Sequence, residues 1–278
     1  MAAADDKKEL ARATRTYLAR EADAGRGDLW TLAAGETPRP RKPRAAKPAA
    51  PAAPAAPAVA EAPTPKGAIA TLETVGLTEV PGLSPAGDTL EQIAHEVRGC
   101  TKCGLCETRT QAVPGVGTGK VGVVFVGEAP GAEEDRRGEP FVGRAGDLLT
   151  KMIQAMDEKQ LIPGVTLSRE AVFIANVLKC RPPENRNPLP HEIEACSPYL
   201  KRQLALLQPK VIFCLGKFAA ELLVGAKGTI GGMRGTVYRY GDSKLLVTYH
   251  PAACLRNPNY KRPVWEDLQL MAREYQSA

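Results

Sequence analysis

Three cysteines recur at even spacing, Cys100, Cys103 and Cys106, and two more, Cys180 and Cys196, follow much later in the chain. Two thiols three residues apart can grip one metal centre, because the turn between them aims both sulfurs the same way. Four thiolates suit Zn²⁺ or an iron–sulfur cluster, and spacing alone does not separate the two. Cys214, inside an apolar run, reads as a small core residue, and Cys254 as structural or incidental. A second set of polar groups follows apolar runs. GEAPGAEED at 127–135 is Gly-rich and acidic; Asn176 opens the basic turn NVLKCRPP; Gly216-Lys217 and His250-Pro251 follow two further runs. Singly each is weak, since an Asn at a strand end commonly caps a turn and a His before Pro commonly bonds its own loop. The signal is their shared position after apolar runs.

Those runs must form the frame. Val121–Gly127, Val172–Leu178, Val211–Leu215 and Leu245–Tyr249 are short and continuously apolar, as expected of buried parallel strands. Between them, Ala145–Met156 places Leu148, Leu149, Met152, Ile153 and Met156 at helical spacing. Pro190 suits the first turn of a helix reaching about Leu207, with Pro198 expected to kink or divide it. Phe218–Val224 and Pro263–Tyr275 complete the helical stretches. The order predicts a three-layer α/β/α sandwich around a mainly parallel four-stranded sheet. Sites in such sheets form at the carboxyl ends of the strands, which would bring the acidic turn, the Asn, the basic turns and the His to one rim.

The rest of the 278 residues bounds the problem. Residues 1–36 carry net charge −1, residues 37–66 carry +5 and the remainder +2, so the overall +6 says little about the folded part. Nine prolines in 37–66 favour extended, unburied chain, and residues 37–87 are expected to be a disordered, basic Pro/Ala-rich linker that serves as a spacer. Residues 7–34 have the apolar members of a short helix, interrupted by Gly25 and Gly27; the core or a protein partner would have to cover its face. No apolar run reaches transmembrane length, and MAAADDKKEL lacks the apolar stretch of a secretory signal. A cytoplasmic location is expected, where seven cysteines point to metal or core roles before disulfides.

Taken together, Cys100-Thr-Lys-Cys103, GEAPGAEED, GEPFVGRAG (138–146), NVLKCRPPENRNP (176–188), Cys196 and HPAACLRNP (250–258) resemble the type-4, iron–sulfur uracil-DNA glycosylases. The resemblance covers residues 88–278, which is then the catalytic domain, and rests on several separated motifs in one order. It implies a base-excision repair enzyme that hydrolyses the N-glycosidic bond of deoxyuridine in single- or double-stranded DNA and leaves an abasic site. A monomer is expected.

The resemblance also implies roles. The uracil nucleotide must leave the duplex to expose its glycosidic bond. Phe141 would stack on the flipped base, in a pocket bounded by Gly127 and Ala129. Asn176 offers an acceptor for uracil N3–H and a donor for O4; cytosine reverses that pattern and would leave buried groups unpaired. His250 would donate to O2 as negative charge develops there. Ala129 stands where another branch of the superfamily has an Asp, so Glu128 and Glu134 are the candidates for activating water, with Glu134 preferred. Cys100, Cys103, Cys180 and Cys196 would hold a 4Fe–4S cluster in a structural role, with Cys106 left out. Lys179, Arg181, Arg186, Arg256, Lys261 and Arg262 are candidate phosphate contacts. Leu255 sits where the superfamily inserts a wedge into the vacated stack, with ordinary packing as the even alternative.

Three rival readings follow from the same residues. A relative that becomes covalently trapped on uracil-DNA needs a basic, His-containing insertion, which the short 181–190 turn lacks. A non-catalytic iron–sulfur DNA-binding module would not need Asn176, Phe141 and His250 together. A zinc protein would lack the brown colour of a cluster.

Overall fold

The computed structural model describes residues 87–278; the expected N-terminal helix and the Pro/Ala-rich linker lie outside the described residues. The helices are α1 (Leu90–Arg98), α2 (Leu105–Thr108), α3 (Ala132–Arg137), α4 (Arg144–Glu158), α5 (Pro190–Leu207), α6 (Lys217–Val224), α7 (Ile230–Met233), α8 (Pro251–Arg256) and α9 (Lys261–Gln276). The strands are β1 (Val123–Gly127), β2 (Phe173–Asn176), β3 (Val211–Leu215), β4 (Tyr238–Tyr240) and β5 (Ser243–Thr248). They form one sheet in the order β2-β1-β3-β5-β4, parallel except for β4, which pairs antiparallel with β5.

The sheet therefore has five strands where the sequence suggested four. Tyr238–Tyr240 is only three residues long, and its exposure alternates, so it gives no continuous apolar signal. It exists because Gly241, at φ 57°, turns the chain straight back along β5. Pro198 likewise does not divide α5, which runs unbroken. The Glu194 carbonyl that Pro198 leaves without an N–H is taken by the Ser197 hydroxyl at 3.4 Å.

Each parallel strand is buried along nearly its whole length, as a sheet covered on both faces requires. On one face Val124, Val126, Ile212, Cys214, Leu245 and Val247 join a core with α1, α5 and α6. On the other, Phe125 meets Phe213 edge-on at 5.9 Å, and α9 packs on β3 and β5 through residues such as Leu268 and Met271. The outer edge of β2 is closed by the segment before β1: Val116 exchanges backbone hydrogen bonds with Ile174, and Val113 N–H donates to the Lys179 carbonyl at 2.7 Å. From β1 the chain goes to β2 on one side and then to β3 on the other, which opens a crevice at the carboxyl ends of β1 and β3. Among the described residues no helix is long and apolar enough to cross a membrane.

Candidate active site

β1 ends at Gly127 and β2 at Asn176, directly paired across the sheet. Asn176 is 1% exposed, and among the described residues its Oδ1 is the one buried side-chain oxygen or nitrogen without a hydrogen-bond partner. Such an orphan costs roughly 1–3 kcal/mol unless something fills its place. A Cβ on Gly127 would overlap that oxygen and stand 2.6 Å from Phe141 Cζ. Gly127 is thus what lets the amide and the ring approach the same point.

Phe141 is buried and holds φ 54°, a left-handed conformation that a bulky side chain occupies at a cost on the order of 1–3 kcal/mol. Its ring stacks on His250 with centroids 5.5 Å apart and planes 29° from parallel. His250 follows β5 and caps α8: its Nδ1 accepts the Ala252 N–H at 3.2 Å, and Pro251 fills the first helical position. A neutral ring that accepts at Nδ1 must carry its proton on Nε2. Burial lowers the imidazole pKa to about 4, Arg256 pushes the same way and Glu134 opposes them. Although part of the residue's surface still reaches solvent, the ring is neutral at neutral pH.

The acidic turn divides into two roles. Both carboxylate oxygens of Glu134 are engaged by backbone N–H groups: Oε1 accepts from Val142 at 2.9 Å and Gly143 at 3.0 Å, and Oε2 from Gly131 at 3.2 Å. Glu128, half-buried at the end of β1, has its pKa raised by burial. Ala129 packs against the core cluster beside it. Two residues without a motif complete the surroundings of Phe141. Arg169 donates to the Pro140 carbonyl at 2.9 Å and to Thr150 Oγ1 at 3.1 Å. In the sequence Arg169 is one charge in the loop before β2, and nothing in its spacing marks it.

Beyond Asn176 the chain enters the cysteine region. Cys100, Cys103, Cys106, Cys180 and Cys196 line one cavity together with Arg109 and Tyr199. Among the described residues no three His, Cys, Asp or Glu side chains meet the geometry of a single metal ion. A cubane cluster spreads its thiolates wider than one ion does, and the donor set fits it in kind. Arg109 donates to Cys180 Sγ at 3.0 Å and the Lys179 N–H to Cys196 Sγ at 3.2 Å, as suits sulfur acceptors carrying charge. Burial pushes the free Cys196 thiol up to about 12 and raises Cys180, so ionising them calls for a cationic partner.

The basic residues are less uniform than the sequence suggested. Lys179 is not a phosphate contact: it is 1% exposed, and its ammonium donates to Gln203 Oε1 at 2.8 Å inside the protein. The residues after β2 keep an inward direction that a basic turn does not reveal. Arg186 is held by both oxygens of the buried Glu192 at 2.6 and 2.9 Å, and Arg262 pairs with Glu266. Lys261 is half-buried. Arg181 is bonded to Asn185 Oδ1 at 2.8 Å, and the exposed Arg256 lies close enough to His250 to lower its pKa. Leu255 is 37% exposed on α8, one turn from His250.

Residues 114–269 match the profile of the uracil DNA glycosylase superfamily. The chain is 46% identical over 190 residues to a type-4 uracil-DNA glycosylase of Archaeoglobus fulgidus, covering 66% of this chain and 91% of the relative. A type-4 uracil-DNA glycosylase of Sulfurisphaera tokodaii is 46% identical over 190 residues, with 66% and 83% covered. One of Thermotoga maritima is 41% identical over 186 residues, with 66% and 92% covered.

Proposed function

The chain belongs to the uracil DNA glycosylase superfamily, and from that membership we propose that it excises uracil from DNA by hydrolysing the C1′–N1 bond. The observation that carries the reading is the orphaned Oδ1 of Asn176 beside the Phe141 ring. Uracil stacked on Phe141 supplies the missing donor at N3–H, while the Asn176 amide donates to O4. As the C1′–N1 bond breaks, its electron pair passes into the base and charge grows on O2; the sugar gains positive charge and takes water at C1′. The Nε2–H of neutral His250 is the donor suited to O2, aimed by the bond that holds Nδ1. Because both oxygens of Glu134 are occupied, Glu128 is the better placed of the two carboxylates to orient the water and accept its proton. Leu255 and Arg256 would fill the vacated stack and hold phosphate, with Arg181 on the other flank.

The cysteine cavity supports a 4Fe–4S cluster on Cys100, Cys103, Cys180 and Cys196. Its contribution is structural: it ties the loop before β1 to the stretch that begins four residues after Asn176. The reduced thiols it needs fit a cytoplasmic enzyme. We assign catalysis to residues 88–278 acting as a monomer, with 37–87 as linker and 1–36 as a segment open to a protein partner.

A uracil-containing oligonucleotide, treated with alkali after incubation, tests the activity. Breakage should need both uracil and alkali, with thymine and hypoxanthine oligonucleotides as controls. Asn176→Asp should cause a large loss of uracil excision, because an ionised Asp repels O4, and should admit a trace of cytosine. The brown absorbance should persist. Near-normal uracil excision by that variant would reduce Asn176 to a turn residue.

A further inference from the structure

Phe141 must be ready to receive a base before one arrives, yet its backbone occupies a region that a phenylalanine does not hold unaided. Three neighbours impose it. Glu134 collects the N–H groups of Val142 and Gly143 just after the ring. Gly146 leaves the space that the Phe141 carbonyl needs, since a Cβ there would overlap it. Arg169 takes the carbonyl of Pro140 just before the ring and, through Nη1, Thr150 Oγ1. Thr150 in turn donates to the Gly146 carbonyl at 3.0 Å. Arg169 also stands on the loop that leads into β2, the strand ending in Asn176.

On the premise that the site excises uracil, we propose that Arg169 is a positioning residue for base capture. Its planar fork spans the Pro140 carbonyl and the Thr150 hydroxyl, and so sets the Phe141 ring relative to Asn176. The half-buried guanidinium gives its hydrogen bonds to neutral oxygens of the loop; burial lowers its pKa, and the carboxylates of Glu139, Glu170, Asp147 and Glu134 act to raise it. Lysine carries the charge but not the planar fork, so it does not hold the two oxygens in the guanidinium's geometry. Arg169 acts through Phe141.

The test compares wild type, Arg169→Ala and Arg169→Lys for single-turnover excision, inhibition by free uracil, and affinity for uracil-free duplex. Both variants should lose about 10²-fold in excision, the scale of a small misplacement of a substrate-holding group. Inhibition by free uracil should weaken with it, while affinity for uracil-free duplex stays unchanged. Millimolar guanidinium ion should restore part of the activity of Arg169→Ala and none of that of Phe141→Ala, a rescue that general destabilisation would not give. Should Arg169→Ala fold poorly, Arg169→Lys decides alone, by the split between base capture and duplex binding. Variants that match wild type, or that lose uracil inhibition and duplex binding equally, overturn the inference. A wild type that leaves uracil in place overturns the functional reading beneath it instead.

Discussion

At the scale of single residues, the site rests on groups held in states they would not choose in water. Asn176 presents a bare carbonyl oxygen, Phe141 a strained backbone, and His250 an imidazole whose pKa is lowered to about 4. The last has a measurable consequence. Above the range in which Glu128 titrates, a neutral donor should keep the single-turnover rate level to about pH 8, whereas an imidazolium donor would fail as pH rises through its ordinary value near 6.5. Stability has a definite sign as well. The native pKa lies below the unfolded one, so the unfolded chain binds the extra proton between about pH 4 and 6.5. This contribution is complete above 6.5 and is lost as pH falls through that window. Replacing His250 by Asn should flatten that part of the thermal midpoint against pH; an unchanged slope would mean that the ring titrates in the native state as it does in the unfolded chain.

At the scale of elements, α1 and α5 frame the cavity that the cysteines line. Arg202 on α5 pairs with Asp88 before α1 at 2.8 Å and also with Glu96 on α1. The first of these pairs is largely shielded from solvent, which preserves more of its strength than an exposed pair keeps. α1 then delivers Cys100 and Cys103 to the cavity that Cys196 of α5 lines. Replacing Cys100, Cys103, Cys180 or Cys196 by Ser should lower iron per protein and solubility, while Cys106→Ser should be nearly silent. Cys106 lines the same cavity, so the alternative is concrete: iron lost with Cys106 and retained without Cys100 would make the sequential triplet the true site.

At the scale of the whole molecule, the basic excess is divided between the folded part and the preceding 37–66 segment, which carries +5 by itself. Deleting residues 1–66 should leave turnover on short oligonucleotides unchanged, because every residue assigned to the pocket lies later. Any loss should be in affinity at low salt and should fade as salt screens the segment; a salt-independent loss of turnover would give the N-terminal part a role in the catalytic domain. Across the chain, the sequence by itself determined the α/β class, the parallel strands and the rim residues, because buried strands are written as apolar runs and sites follow their carboxyl ends. It missed β4, which is too short and too exposed to carry a pattern, and it expected a kink or division of α5 at Pro198, where the Ser197 hydroxyl donates to the Glu194 carbonyl. Only the tertiary structure decided which polar groups are free to act. Lys179 turned inward to Gln203, Arg186 was taken by Glu192, Glu134 was taken by three backbone N–H groups, and Arg169 emerged beside Phe141. The reason is physical: a side chain's type and spacing fix what it can bond, but the partner that claims it comes from a distant part of the chain, and only folding brings the two within reach.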